Sequence, residues 1–308
     1  MSSSPASGLQ SGDSPKGFAF ALSAYFLWGF LPLFMKAISH IPAPEIIAHR
    51  VIWSIPVAGA VLIATGRTAD LKVALKSPRT LVMAALTASI ITINWGIYVW
   101  SIAAGRALES ALGYYINPLF SVFLGAVLLR EKLSTSQWVA IGLAVCAVAI
   151  LTIEAGGLPW VSLGLAVSWG FYAFFRKTLP VGPNQGFLLE VMLLSVPALA
   201  YIGYLETSGQ GHFGDTGYAD VLWLLACGLV TAVPLILYAN GAKLLRLTTI
   251  GIMQYIAPTM IFVIAVFVFK EPFGLPKLFA FAFIWAALLV FTWPMLRALI
   301  ARKPEKQA

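Results

Sequence analysis

Charge is scarce in this chain. Only 10% of its 308 residues are Asp, Glu, Lys or Arg, where a water-soluble domain carries roughly a quarter. With 60% of the residues apolar, no soluble fold has interior enough to hide them, so most of the chain must have lipid as its solvent. Cysteine is scarce as well. Cys146 and Cys227 each sit in an apolar run without a second Cys or a His at ligand spacing, which excludes a disulfide framework and a metal site and leaves them as apolar filler. A glycine-rich phosphate loop is absent, so the chain does not burn ATP itself; HExxH and any nucleophile–base set are absent too, which argues against an intramembrane enzyme. Neither a cofactor nor a metal is expected. Residues 1–15 hold few apolar side chains and are rich in Ser, Gly and Pro, the composition of a disordered tail. They also lack the charged start of a secretory signal, so the apolar run that follows stays as a membrane span.

What is present is a series of apolar runs near 17–37, 46–66, 80–103, 107–129, 137–153, 158–176, 186–206, 219–240, 248–269 and 277–299. Each approaches the roughly 20 residues needed to cross a bilayer as a helix, so an all-α membrane protein of ten transmembrane helices is expected. The net charge of +8 would suggest nucleic acid in a soluble protein. Here the bases fall between apolar runs, as topology signals do, and no nucleic-acid partner is expected. With the amino terminus inside, one side holds Lys16, Arg67, Lys72, Lys76, Arg79, Arg130, Lys132, Arg176, Lys177, Lys243, Arg246, Arg297, Arg302, Lys303 and Lys306, 15 of the 20 basic residues. Basic loops stay cytoplasmic, so both termini are placed there, the basic tail 301–308 included.

The chain also repeats itself. At an offset of 140, Arg106 meets Arg246, Tyr98 meets Tyr238, Tyr115 meets Tyr255, Pro118 meets Pro258 and Glu131 meets Glu271. At 141, Trp28-Gly29-Phe30 meets Trp169-Gly170-Phe171. Matches at Trp, Arg, Tyr, Pro and Glu do not arise from shared apolar composition. Two repeats, 16–154 and 158–300, follow. Five spans per repeat is an odd number, so the second enters from the opposite face, giving the inverted construction of secondary transporters with a site near the midplane.

The segments AYFLWGFLPLFMK, EIIAHR, LESALGYYINPL, REKLSTSQW and QYIAPTMIFVIAVFVFKE together resemble the RarD subgroup of the EamA-type drug/metabolite transporter superfamily, over roughly residues 16–300. The resemblance implies ten helices in two EamA repeats, a place in the bacterial cytoplasmic membrane, and transport of small organic solutes. The chain departs from the superfamily pattern at Arg130, where Gly is common, and in Lys270-Glu271-Pro272.

Intramembrane charges need a reason, because a charge at the bilayer centre costs at least about 2.5–3.5 kcal/mol. The charges that need one are Lys36, Arg50, Glu109 and Glu190, with His49 as a titratable neighbour, and Arg50, Glu109, Glu190 and His49 are candidates for the translocation path. Arg50 meets Glu190 at the 140 offset, an opposite charge that a scaffold would not require. His49 and Arg50 serve either the path or the headgroup layer. Arg106, Ser110, Gly113, Asn117 and Ser121 recur at helical spacing, as do Thr87, Asn94, Tyr98 and Ser101, and such faces serve either helix packing or a cavity. Glu109, at the edge of the first stripe, either anchors Arg106 or carries a coupling proton. Pro118 and Pro258 each remove a backbone donor, so both are expected to bend their helices and line the path. Trp28, Trp169, Tyr115 and Tyr255, with Tyr238 and Gln254, complete the candidate lining, where aromatic rings would stack a planar solute. The expected function is secondary transport, as an exporter, of a small organic metabolite or drug-like solute, by uniport or with a coupling proton. A non-transporting scaffold or an intramembrane enzyme is the alternative. A homodimer is compatible with everything above.

Overall fold

The computed structural model describes residues 13–66, 68–214 and 217–300. Most of the expected amino-terminal tail and the whole of 301–308 lie outside these residues, as does Arg67. Among the described residues the backbone is helical with no strand, because a chain without water must satisfy its own N–H and C=O groups. The helices are α1 (Pro15–Ala37), α2 (Ala43–Ala64), α3 (Ala69–Leu75), α4 (Pro78–Ala103), α5 (Ala107–Leu129), α6 (Thr135–Ala155), α7 (Trp160–Thr178), α8 (Pro183–Ser208), α9 (Tyr218–Ala242), α10 (Leu247–Met253), α11 (Ile256–Val263) and α12 (Leu275–Ile300), with a π-helical turn over Ile264–Val268.

Local sequence sets the ends. Ser14 and Ser77 cap α1 and α4, each followed by a proline that has no N–H to leave unbonded. Ser134 and Gln137 form a capping box on α6. Arg130 (φ 56°) and Lys270 (φ 57°) end their helices in the left-handed region, which costs a non-glycine residue about 1 kcal/mol. The departure from Gly at Arg130 thus keeps the glycine geometry, and the same strain recurs 140 residues later. The turn it makes aims Glu271 at the start of α5, where its carboxylate accepts from the N–H groups of Ala107 (2.7 Å) and Leu108 (2.9 Å). Burial pushes this carboxyl above its ordinary value, against the opposing pull of those two N–H groups and of Lys277.

Nine described helical segments are long and apolar enough to cross a membrane, one fewer than expected. The shortfall is α7, whose 19 residues include Trp160, Ser162, Ser168, Trp169, Arg176 and Lys177. The run expected at 248–269 is broken into α10 and α11 at Gln254 and Tyr255. Pro258 explains the break, since it has no N–H to offer the carbonyl of Gln254 one turn back. Its counterpart behaves differently: α5 runs unbroken through Pro118.

Packing follows pairs. α1 lies on α9 and α7 on α4; α5 meets α7, and α11 meets α1; α2 meets α8, and α6 meets α12. Small residues permit the close crossings: a Cβ on Gly228 would strike the backbone of Trp53, and one on Gly113 would strike Ser162. Gly113 in the polar stripe of α5 is therefore a packing residue. Large apolar side chains such as Ile63, Ile153 and Leu199 remain on the outside, as a multi-pass membrane protein requires.

Candidate functional site

A cavity of about 160 Å³ opens where α1, α2, α4, α5, α7, α9 and α11 converge. Nine of the residues expected on a translocation path line it: Trp28, Arg50, Asn94, Tyr98, Asn117, Trp169, Tyr238, Gln254 and Pro258. Helical spacing brings them there. Ile91, Asn94, Trp95 and Tyr98 share one face of α4, and the break before Pro258 turns Gln254 inward.

The walls are aromatic. Tyr25, Trp28 and Tyr238 form a mutual cluster with ring centroids 5.5–5.9 Å apart, and Tyr98 lies 5.8 Å from Tyr114. The polar groups are few and buried. The Arg50 guanidinium donates from Nε to Thr231 Oγ1 (2.9 Å) and stands 4.7 Å from the centroid of Trp95, while its Nη1 has no hydrogen-bond partner. Asn94 donates from Nδ2 to the carbonyl of Leu165 (3.1 Å) and to Ser168 Oγ (2.9 Å). Because Leu165 supplies a carbonyl, the bonded atom of Asn94 must be its nitrogen, and the oxygen left over is an unpartnered acceptor. The Tyr98 hydroxyl and Asn117 Oδ1 are likewise buried without partners.

Six expected residues do not line the cavity. Glu190 is buried just behind it, accepting from Thr87 Oγ1 (2.7 Å) and from the Tyr172 hydroxyl (3.2 Å), with Arg176 Nε at 3.4 Å. Glu109 stands at the start of α5 in a two-point bond with Arg106, Nε to Oε1 at 2.6 Å and Nη2 to Oε2 at 2.8 Å. That is the anchoring geometry, and Arg106 also faces the rings of Trp100 and Trp160. His49 accepts from Trp53 Nε1 (3.1 Å) and stacks on Phe213 of the loop before α9. Tyr115 bonds Thr259 (2.8 Å) and ties α5 to α11. Pro118 lies beside Asn117 without reaching the cavity, and Tyr255 sits at the break of the ninth run.

Tyr25, Trp95, Tyr114, Tyr172 and Thr231 also line the cavity, although sequence reasoning did not single them out. A signal for several of them lay in the repeat itself. Trp28 and Trp169, Leu31 and Tyr172, Ile91 and Thr231, Trp95 and Leu235, Tyr98 and Tyr238, Tyr114 and Gln254, and Asn117 and Ala257 are pairs at offsets of 140 or 141, and both members of each face the same space. Chemically the site offers one unpaired cation, one fixed acceptor and flat apolar walls.

The EamA-like transporter family model matches this chain twice, over residues 15–153 and 157–293. The chain is 40% identical to Protein RarD of Streptomyces exfoliatus over 281 residues, 91% of this chain and 89% of that protein. It is 39% identical to an uncharacterized transporter of Vibrio cholerae serotype O1 over 287 residues, 93% of this chain and 95% of that one. A solved crystal structure with 20% identity superimposes with a TM-score of 0.59, covering 91% of this chain and 98% of its own, a likeness of fold. The chain belongs to the EamA-like transporter family, in its RarD branch.

Proposed function

We propose that the protein is a secondary transporter carrying a small organic solute through the central cavity by alternating access of two inverted five-helix halves. The observation that carries this reading is the set of repeat-related pairs facing one another across a single space. A cavity on a pseudo-twofold axis can be offered to either face by equivalent movements of equivalent helices. The packing agrees: α1 on α9 and α7 on α4 are the same contact made once from each half, and α2 on α8 and α6 on α12 are each an element against its own counterpart. In this reading α7 completes the ten spans, with Ser162 and Ser168 buried against α5 and α4, and the break at Gln254 is the discontinuous helix such proteins place at their sites. The protein sits in the bacterial cytoplasmic membrane with both termini inside. Where a proton couples to transport, Glu190 is the acid placed to carry it, because Tyr172 touches both its carboxylate and the cavity.

Flux into liposomes reconstituted with the full chain tests this. A radiolabelled panel of single-ring metabolites should equilibrate through the wild type, and Tyr98→Ala and Tyr238→Ala should each slow entry by about tenfold. Reporter fusions should signal cytoplasm after Leu133 and the outside after Gly211. Cytoplasmic signal at Gly211, or flux indifferent to both tyrosines, would overturn the proposal.

A further inference from the structure

Arg50 is a cation without a counter-ion. It is 3% exposed, and no ion pair among the described residues includes it. The buried acids nearest in kind are committed elsewhere: Glu45 accepts from the backbone and ring of His212 (both 2.7 Å), and Glu190 is held by Thr87, Tyr172 and Arg176. Trp95 and Thr231 ease the burial of the guanidinium but do not neutralise it. A guanidinium does not shed its proton to escape the cost, so an unpaired one beside a cavity marks a place where an anion can come and go.

We infer that the cavity takes an organic carboxylate, held on the Arg50 guanidinium, while Asn94 Oδ1 accepts from a hydrogen-bond donor on the same solute. This rests on the reading of the cavity as the solute site. The donors left unspent are Arg50 Nη1 and the Tyr98 hydroxyl, and the fixed unspent acceptor is Asn94 Oδ1; a solute bearing an anion and a nearby donor satisfies them together. Planar guanidinium suits planar carboxylate, with charge-assisted bonds about twice as strong as neutral ones. The rings of Trp28, Trp95, Tyr114 and Trp169 fit a flat body. The volume of about 160 Å³ lies below the roughly 300–1,000 Å³ of drug-sized sites, which favours a single ring.

Trp28, Trp95 and Trp169 face the cavity, so their fluorescence reports binding to the full chain in detergent. The probes are 3-phenyllactate, 3-phenylpropionate without its hydroxyl, neutral 3-phenyllactamide and cationic 2-phenylethylamine. Phenyllactate should bind the wild type at least about tenfold more tightly than its amide, the worth of a charge-assisted bond, and several-fold more tightly than phenylpropionate. Arg50→Gln should abolish the preference for carboxylate over amide, and Arg50→Lys should keep part of it. The inference is overturned if the amide or the amine binds the wild type as well as the acid, if no carboxylate binds, or if Arg50→Gln retains the preference. The wild-type comparison stands even where a variant fails to fold. Binding is read without flux, so acids that bind but are never carried would overturn transport and leave the anion site, whereas carriage of neutral solutes alone would overturn the site and leave transport.

Discussion

Arg50 and Glu190 hold equivalent places in the two halves, yet their charges are treated in opposite ways. Glu190 is surrounded by two hydroxyl donors and an arginine. Arg50 has one hydroxyl, one ring and an idle Nη1 beside a cavity. A charge fully answered by its neighbours fixes helices together; Glu190 joins α8 to α4 and α7. A charge left unanswered gains nothing for the fold, which is why we assign it a ligand. The repeat supplied one position twice: one copy ties helices together in the structure, and the other is the one we propose holds a ligand.

The comparison breaks most sharply at stability. Arg176→Leu should destabilise the protein by about 3 kcal/mol, because it strands the Glu190 carboxylate in the interior; thermal unfolding in detergent reads this, and an unchanged midpoint would mean the tie is illusory. Arg50→Leu removes a charge that nothing in the fold neutralises. It should therefore leave stability within about 1 kcal/mol of the wild type or raise it, while carboxylate quenching of tryptophan fluorescence disappears. A large loss of stability there would place Arg50 beside Glu190 as a structural residue. The smallest effect belongs to Glu109. Its partner Arg106 is 32% exposed and it is itself 24% exposed, so Glu109→Gln should cost less than about 1 kcal/mol. Where a proton couples to transport, uptake driven by a pH gradient should persist in that variant and be lost in Glu190→Gln.

Much of the architecture was legible because lipid imposes a simple grammar of length and apolarity. The repeat was legible through residues too distinctive to match by composition, such as Trp28 with Trp169 and Tyr98 with Tyr238. The assignment of individual polar residues was less so. Asn94 and Ser110 both belong to small polar stripes, but one faces the cavity and the other bonds Ser101; which way a stripe faces depends on the neighbouring helix, and that is absent from local spacing. Glu109 and Glu190 are alike as intramembrane acids in sequence. Only the fold shows that one meets Arg106 a single turn away and the other a hydroxyl 103 residues distant, at Thr87. The two prolines teach the same lesson. Pro258 follows a break and Pro118 does not, because a missing donor permits a bend while the surrounding packing decides whether it is taken.

The inexact pairing around the cavity has an energetic consequence. Under the proposed alternating access, two identical halves would make the inward-open and outward-open states mirror one another, equal in free energy and equally populated. Each mismatch of paired residues, Tyr114 with Gln254, Asn117 with Ala257, Trp95 with Leu235, gives the two states different contacts and tilts the balance. A difference of about 1.4 kcal/mol already shifts their ratio tenfold. The resting orientation of the empty protein is then set by the sum of these substitutions. Restoring a pair to identity, as in Ala257→Asn, would move that orientation, at the cost of a larger side chain on the cavity wall.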